Sequence, residues 1–103
     1  MTTDVFDALA NPIRRELLGL LRTGPKPVNE LAGHFTRGRP AISEHLSVLR
    51  GAGLVREEPR GRQRYYHLDP APLREVVDWL GAYEVFWTNK LDDLKTLLDR
   101  EQP

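Results

Sequence analysis

RPAISEHLSVLRGAGLV, residues 39–55, is the stretch whose reading decides the fold. Pro40 has no backbone donor and a preset φ, which suits the first position of a helix. Behind it Ile42, Leu46 and Leu49 recur at helical spacing, and Ala52 extends the stripe. Gly53 supplies the left-handed residue on which a helix ends, and Leu54-Val55 begins an extended segment. The opposite face of the first two turns carries Arg39, Ala41, Ser43, Glu44 and Ser47, with His45 at its border. These groups are small or hydrogen-bonding and let the helix lie flush against a polar surface. An apolar stripe behind a polar N-terminal half is what a helix lying in a DNA major groove requires.

Ahead of this helix, Thr36-Arg37-Gly38 predicts a tight turn. Before the turn, Val28, Leu31, Ala32 and Phe35 form the buried side of another helix, with Pro27-Val28 as a short extended entry. Two short helices joined by a glycine-containing turn make a helix-turn-helix over residues 28–53. After Gly53 the period changes. Residues 54–58 and 64–68 read as strands, the second rich in β-formers through Tyr65 and Tyr66. Pro59-Arg60-Gly61-Arg62-Gln63 joins them, and Gly61 permits the turn. A basic hairpin directly behind a candidate recognition helix is a wing, residues 54–68, whose arginines have a natural target in phosphates or a narrow minor groove. An ordinary surface hairpin is the alternative.

At the N-terminal end, residues 4–22 predict two helices. Asp4 to Ala10 puts Val5, Phe6 and Leu9 on one side of a short one. Asn11-Pro12 caps the next, whose apolar face is Ile13, Leu17, Leu20 and Leu21 with Arg14 and Arg15 outside, until Thr23-Gly24-Pro25 stops it. At the other end, Asp69-Pro70 predicts a cap and a last helix over residues 70–100. Its seam runs Leu73, Val76/Val77, Leu80, Tyr83/Glu84, Trp87, Leu91, Leu94 and Leu98, with a second apolar line at Trp79, Val85 and Phe86. Unbroken, such a helix would reach about 45 Å at 1.5 Å per residue. Gly81 bends it, interrupts it or leaves it continuous, glycine weakening a helix interior by about 1 kcal/mol. More apolar surface than one domain can bury implies a second chain. The simplest solution is a two-fold dimer through Val5, Phe6 and Leu9 of the first helix and Trp79, Leu80, Tyr83, Phe86, Trp87, Leu91 and Leu94 of the last. A long monomeric helix folded back on its own core is the alternative.

Residues 1–103 suit a single domain. The formal net charge is zero, but its distribution is not even. Residues 37–68 hold seven arginines against three glutamates, a net +4, and residues 69–103 hold four cations against eight acids, a net −4. Such segregation favours a polyanion at one face; a solvated charge face, giving the same count, is the alternative. The absence of cysteine excludes disulfides, zinc–cysteine sites and thiol redox sensing. No apolar run approaches a membrane span and no signal peptide precedes Asp4, so the expectation is a cytoplasmic protein that meets no membrane. Nothing suggests an enzyme. Gly51-Ala52-Gly53 ends a helix rather than opening one, and Ser43 and His45 point about 200° apart on theirs, so they form no nucleophile–base pair. His34, His45 and His67 share no ligand spacing, and neither a metal nor another cofactor is expected.

In order and spacing, DALANPIRRELLGLL, VNELA, RPAISEHLSVLRGAGLV and RGRQRYYHL resemble the ArsR-type winged helix-turn-helix repressors, a likeness that runs from about Asp7 to Leu68. The leucine-rich end with Trp79, Phe86 and Trp87 is similar to members with an extended C-terminal dimer helix. The resemblance implies a mostly α fold with a small β-hairpin wing: four helices, two strands and a fifth, dimerising helix. It also implies a homodimeric transcriptional regulator, usually a repressor, that binds double-stranded operator DNA at an inverted repeat and is released by an effector. Pro40, Ala41, Ser43, Glu44 and His45 fall where the family approaches base edges and nearby phosphates. Arg37, Arg39 and Arg50 fall near the DNA backbone, and Arg60, Arg62, Gln63 and Arg64 on the wing. Glu44 either accepts from cytosine N4 or holds Arg37 or Arg39, while His45 either contacts phosphate or packs inside the motif. The third helix, VNELAGHF, lacks the cysteines through which founding members sense metals, and the last helix offers Asp78 and Glu84 but no histidine. An organic effector lodged near Tyr83, Phe86 and Trp87, or no effector at all, fits that departure. The rival to DNA binding is a winged helix used only for protein contact.

Overall fold

The computed structural model describes residues Asp4 to Glu101. Helix α1 spans Val5–Leu9, α2 Pro12–Leu21, α3 Val28–Ala32, α4 Arg39–Gly51, α5 Leu73–Gly81 and α6 Glu84–Glu101; strands β1 Lys26–Pro27, β2 Val55–Arg60 and β3 Gln63–Leu68 complete the chain. The caps follow from the sequence. Asp4 Oδ1 accepts the Phe6 amide at 2.7 Å, and Asn11 Oδ1 accepts those of Ile13 and Arg14 at 2.8 and 3.2 Å. The core is aliphatic. Leu17, Leu31, Ile42, Leu46, Leu49 and Leu54 are fully buried, so the stripe of α4 lies against α2, α3 and the start of the wing.

The wing is tighter than its sequence suggests. The strands extend to Arg60 and back from Gln63, leaving Gly61-Arg62 as a two-residue turn in which Gly61 takes φ +60°. Pro59 lies inside β2, where it is tolerated because the sheet order β1-β3-β2 makes β2 an edge. The third strand was not foreseen. Lys26 and Pro27 pair with Tyr66 and Tyr65 and tie the root of the wing to the start of α3.

Two boundaries depart from expectation. Helix α3 stops at Ala32, so the turn of the helix-turn-helix occupies residues 33–38. The helix expected from Pro70 begins at Leu73; ahead of it the amides of Leu73, Arg74 and Glu75 reach back only three residues, to Pro70, Ala71 and Pro72. Of the alternatives open at Gly81 the structure has the interruption: residues 70–100 are not one rod. Helix α5 ends at Gly81, where the amides of Ala82 and Tyr83 reach back only three residues, to Trp79 and Leu80, and α6 starts afresh at Glu84. Beyond Val76 every described side chain is exposed, and with α6 projecting from the body the molecule measures 63 × 33 × 22 Å. No helix among the described residues is long and apolar enough to cross a membrane.

Candidate nucleic-acid interface

Proline at the start of α4 and glycine at the turn of the wing fix the directions in which two sets of polar side chains leave the body. Arg39 and Pro40 are exposed on the first turn of α4, Ala41 and Ser43 are half-buried, and Glu44 and Ser47 are exposed. Gly38 caps the helix without a side-chain hydrogen bond; Pro40 has no amide hydrogen, and the Ala41 and Ile42 amides donate to the Gly38 carbonyl at 3.1 and 3.3 Å. Arg39 and Ser43 line one groove of about 290 Å³ together with Arg62, Gln63 and Arg64 of the wing and Asn29 of α3. Of the candidates, Arg39 and Ser43 of α4 therefore meet Arg62, Gln63 and Arg64 of the wing in one groove, and Arg60 does not line it. Asn29 escaped sequence reading because a polar residue in the first turn of a helix is ordinary; only β1, by drawing α3 to the wing, brings it into the groove.

The wing arginines are not equivalent. Side chains alternate along a strand, so Glu57, Arg64 and Tyr66 share one face of the hairpin and Glu58, Arg60, Tyr65 and His67 the other. Glu57 is nearly buried, 11% exposed, and holds both Arg64 and Arg50 of α4, the latter at 2.6 Å. This carboxylate fastens the wing to the recognition helix. On the outer face Arg60 pairs with Glu58, holding that carboxyl below its ordinary range, and lies 4.5 Å from the centre of the Tyr65 ring. Arg62, at the tip, has no carboxylate partner among the described residues.

His45 packs inside the motif. It is half-buried, and its Nδ1 lies 3.3 Å from an Arg14 guanidinium nitrogen. Burial, then Arg14 and Arg37, hold its pKa below the ordinary histidine value. Arg15 is exposed, as expected, and Arg14 is half-buried; both donate to carbonyls at the end of α1.

The apolar candidates of the second face divide as well. Val5 is a core residue at 4% exposure, which removes it from any surface contact, and Leu9 is half-buried. Phe6, Trp79, Leu80, Tyr83, Phe86, Trp87, Leu91 and Leu94 are all exposed. Phe6 meets Trp79 edge-on at 5.7 Å, and Trp79 meets Tyr83 at 5.3 Å, so α1 and α5 present a shared aromatic surface. Inside the α5–α6 elbow lies a groove of about 410 Å³ lined by Val77, Leu80, Glu84, Trp87, Thr88 and Leu91. Tyr83 and Phe86, expected beside an effector, do not line it. Among the described residues no three histidine or carboxylate groups gather as metal ligands.

A helix-turn-helix whose second helix shares an open basic groove with a β-hairpin defines a winged helix-turn-helix protein. The model of the bacterial regulatory proteins of the arsR family matches residues 11–57. The chain is 41% identical over 96 residues to the HTH-type transcriptional regulator Rv2034 of Mycobacterium tuberculosis (strain ATCC 25618 / H37Rv), covering 93% of this chain and 87% of that protein. The transcriptional repressor SdpR of Bacillus subtilis (strain 168) is 34% identical over 77 residues, 75% of this chain and 86% of the relative. The homodimeric winged helix-turn-helix DNA-binding domain of Mb0332 from Mycobacterium bovis superimposes with a TM-score of 0.63 at 27% identity, covering 79% of this chain and 78% of that one. The chain belongs to the ArsR family, which is made up of transcriptional regulators rather than enzymes.

Proposed function

We propose that this regulator acts as a homodimer that seats two α4 helices in successive major grooves of an inverted-repeat operator and represses by excluding polymerase. The observation that carries the reading is the single groove shared by Arg39 and Ser43 of α4 with Arg62, Gln63 and Arg64 of the wing. In this reading Pro40, Ala41, Ser43 and Glu44 approach base edges, Arg37 and Arg39 meet phosphates, and Arg62 reaches the flanking backbone or minor groove. Arg50 and Arg64, held by Glu57, set the angle between wing and helix. His45 takes no part in base contact.

Dimerisation is supported by the aromatic surface of α1 and α5 and by the bare seam of α6; the Mb0332 domain, with the same architecture, is a homodimer. Two-fold pairing sets the half-sites about 34 Å apart, one turn of DNA. SdpR, a repressor, supports that direction of control. Release by a small organic effector, for which the α5–α6 elbow offers space, is part of the proposal, as is a cytoplasmic setting. The test is sedimentation of the protein with a duplex that it selects from a random-sequence pool. Two chains per duplex support the reading, and one chain or none contradicts it.

A further inference from the structure

Arg14 joins three elements through one guanidinium. Its Nε donates to the Ala8 carbonyl at 2.7 Å and one terminal nitrogen to the Asp7 carbonyl at 3.0 Å. The other terminal nitrogen lies 3.3 Å from Nδ1 of His45, in the middle of α4. Asp7 and Ala8 belong to the last turn of α1, where the Asp7 carbonyl also accepts the Ala10 amide at 3.2 Å. The same α1 carries Phe6, packed edge-on against Trp79 of α5. One side chain thus spans from the aromatic surface proposed for the partner subunit to the helix proposed for the DNA.

The chemistry of the contact is one-directional. A guanidinium only donates, so Nδ1 must be the acceptor and the ring proton sits on Nε2. A second proton on His45 would turn this acceptor into a donor beside a fixed positive charge. The charged groups that act on His45 are Arg14 from α2, Arg37 from the turn ahead of α4 and Glu44 on α4 itself; none comes from α1, α3 or β2. Two of the three are cations, and only exposed Glu44 opposes them.

We propose that Arg14 is a positioning residue that locks the recognition helix to the dimer-facing α1 through neutral His45, so that protonating His45 loosens the lock and weakens DNA binding. This rests on the DNA-binding reading above and adds a route by which the dimer face governs the DNA face. Affinity for a pool-selected duplex is measured by fluorescence anisotropy between about pH 7.5 and 5.5, where histidine titrates. His45→Gln keeps an oxygen that accepts from Arg14 and carries no proton to gain. It is expected to bind like the wild type at the higher pH and to lose the wild type's acid-induced fall. Arg14→Gln is expected to weaken binding by between about 3- and 30-fold, the range of such couplings, while sedimenting as the same oligomer.

The lock is read independently in DNA-free protein from the ¹⁵N resonances of the His45 ring. Arg14→Gln should raise the pH at which His45 titrates and mix its tautomers. A His45→Gln variant with the wild type's acid loss, or an Arg14→Gln variant with unchanged His45 titration, overturns the lock. Wild-type protein that binds no duplex at any pH overturns the DNA reading instead. Should Arg14→Gln fail to fold, the pH profile of His45→Gln still decides.

Discussion

Arg62→Ala is the substitution for which the structure gives the sharpest number. Of the three hairpin arginines, Arg60 shares its charge with Glu58 and Tyr65, and Arg64 shares its with Glu57. Arg62 stands at the exposed tip beside Gly61 and has no such partner among the described residues. If each copy neutralises one phosphate with Arg62, its loss removes about 0.9 from the slope of log affinity against log salt per copy, or about 1.8 per dimer. The affinity ratio of wild type to variant should then shrink about 12-fold between roughly 50 and 200 mM salt. Anisotropy titrations with one duplex at four salt concentrations measure both slopes. Arg60→Ala serves as the control and should change the slope less, because removing a cation already paired with Glu58 releases fewer counterions. Parallel lines for Arg62→Ala and wild type would refute the reasoning and take the wing out of DNA binding. A winged helix used only for protein contact would give flat lines throughout.

Trp87→Ala should move the protein from dimer toward monomer in sedimentation equilibrium. A hot-spot loss of about 2 kcal/mol in each copy raises the dimer dissociation constant roughly a thousandfold, and an unchanged dimer would place the interface elsewhere. Leu46→Ala, at a fully buried position of α4, should cost about 2–5 kcal/mol and lower the urea midpoint without changing the slope of the transition. His45 titrates below its ordinary value of 6.5 in the fold, so the unfolded chain takes up that proton first as pH falls. The stability linked to this group is complete above that value and is lost as pH drops through the lower, folded one. Thermal melts of wild type and His45→Gln should therefore diverge only on the acid side.

The sequence carried the helix-turn-helix and the wing because their signals are local. A proline start, a stripe at Ile42, Leu46 and Leu49, and a glycine with positive φ at position 53 each act within a few residues. What it did not carry depends on elements meeting. Nothing in Lys26-Pro27 announces a strand until β3 lies beside it, and nothing in Arg14 distinguishes a solvated arginine from one reaching α1 and His45. The break after Gly81 was open for a different reason. Glycine costs a helix too little to force an interruption, and the apolar seam runs through it unbroken. On the wing the list of basic residues was legible, but not their division between two faces, which follows from strand register and the carboxylates at Glu57 and Glu58.

The most direct test of the central claim, that one groove of each subunit grips a turn of duplex, is hydroxyl-radical footprinting of the wild-type protein on a selected duplex. Two symmetric protected patches about one turn apart, with flanking protection that disappears in Arg62→Ala, are what the groove predicts. A single patch, or flanks still protected without Arg62, would contradict it.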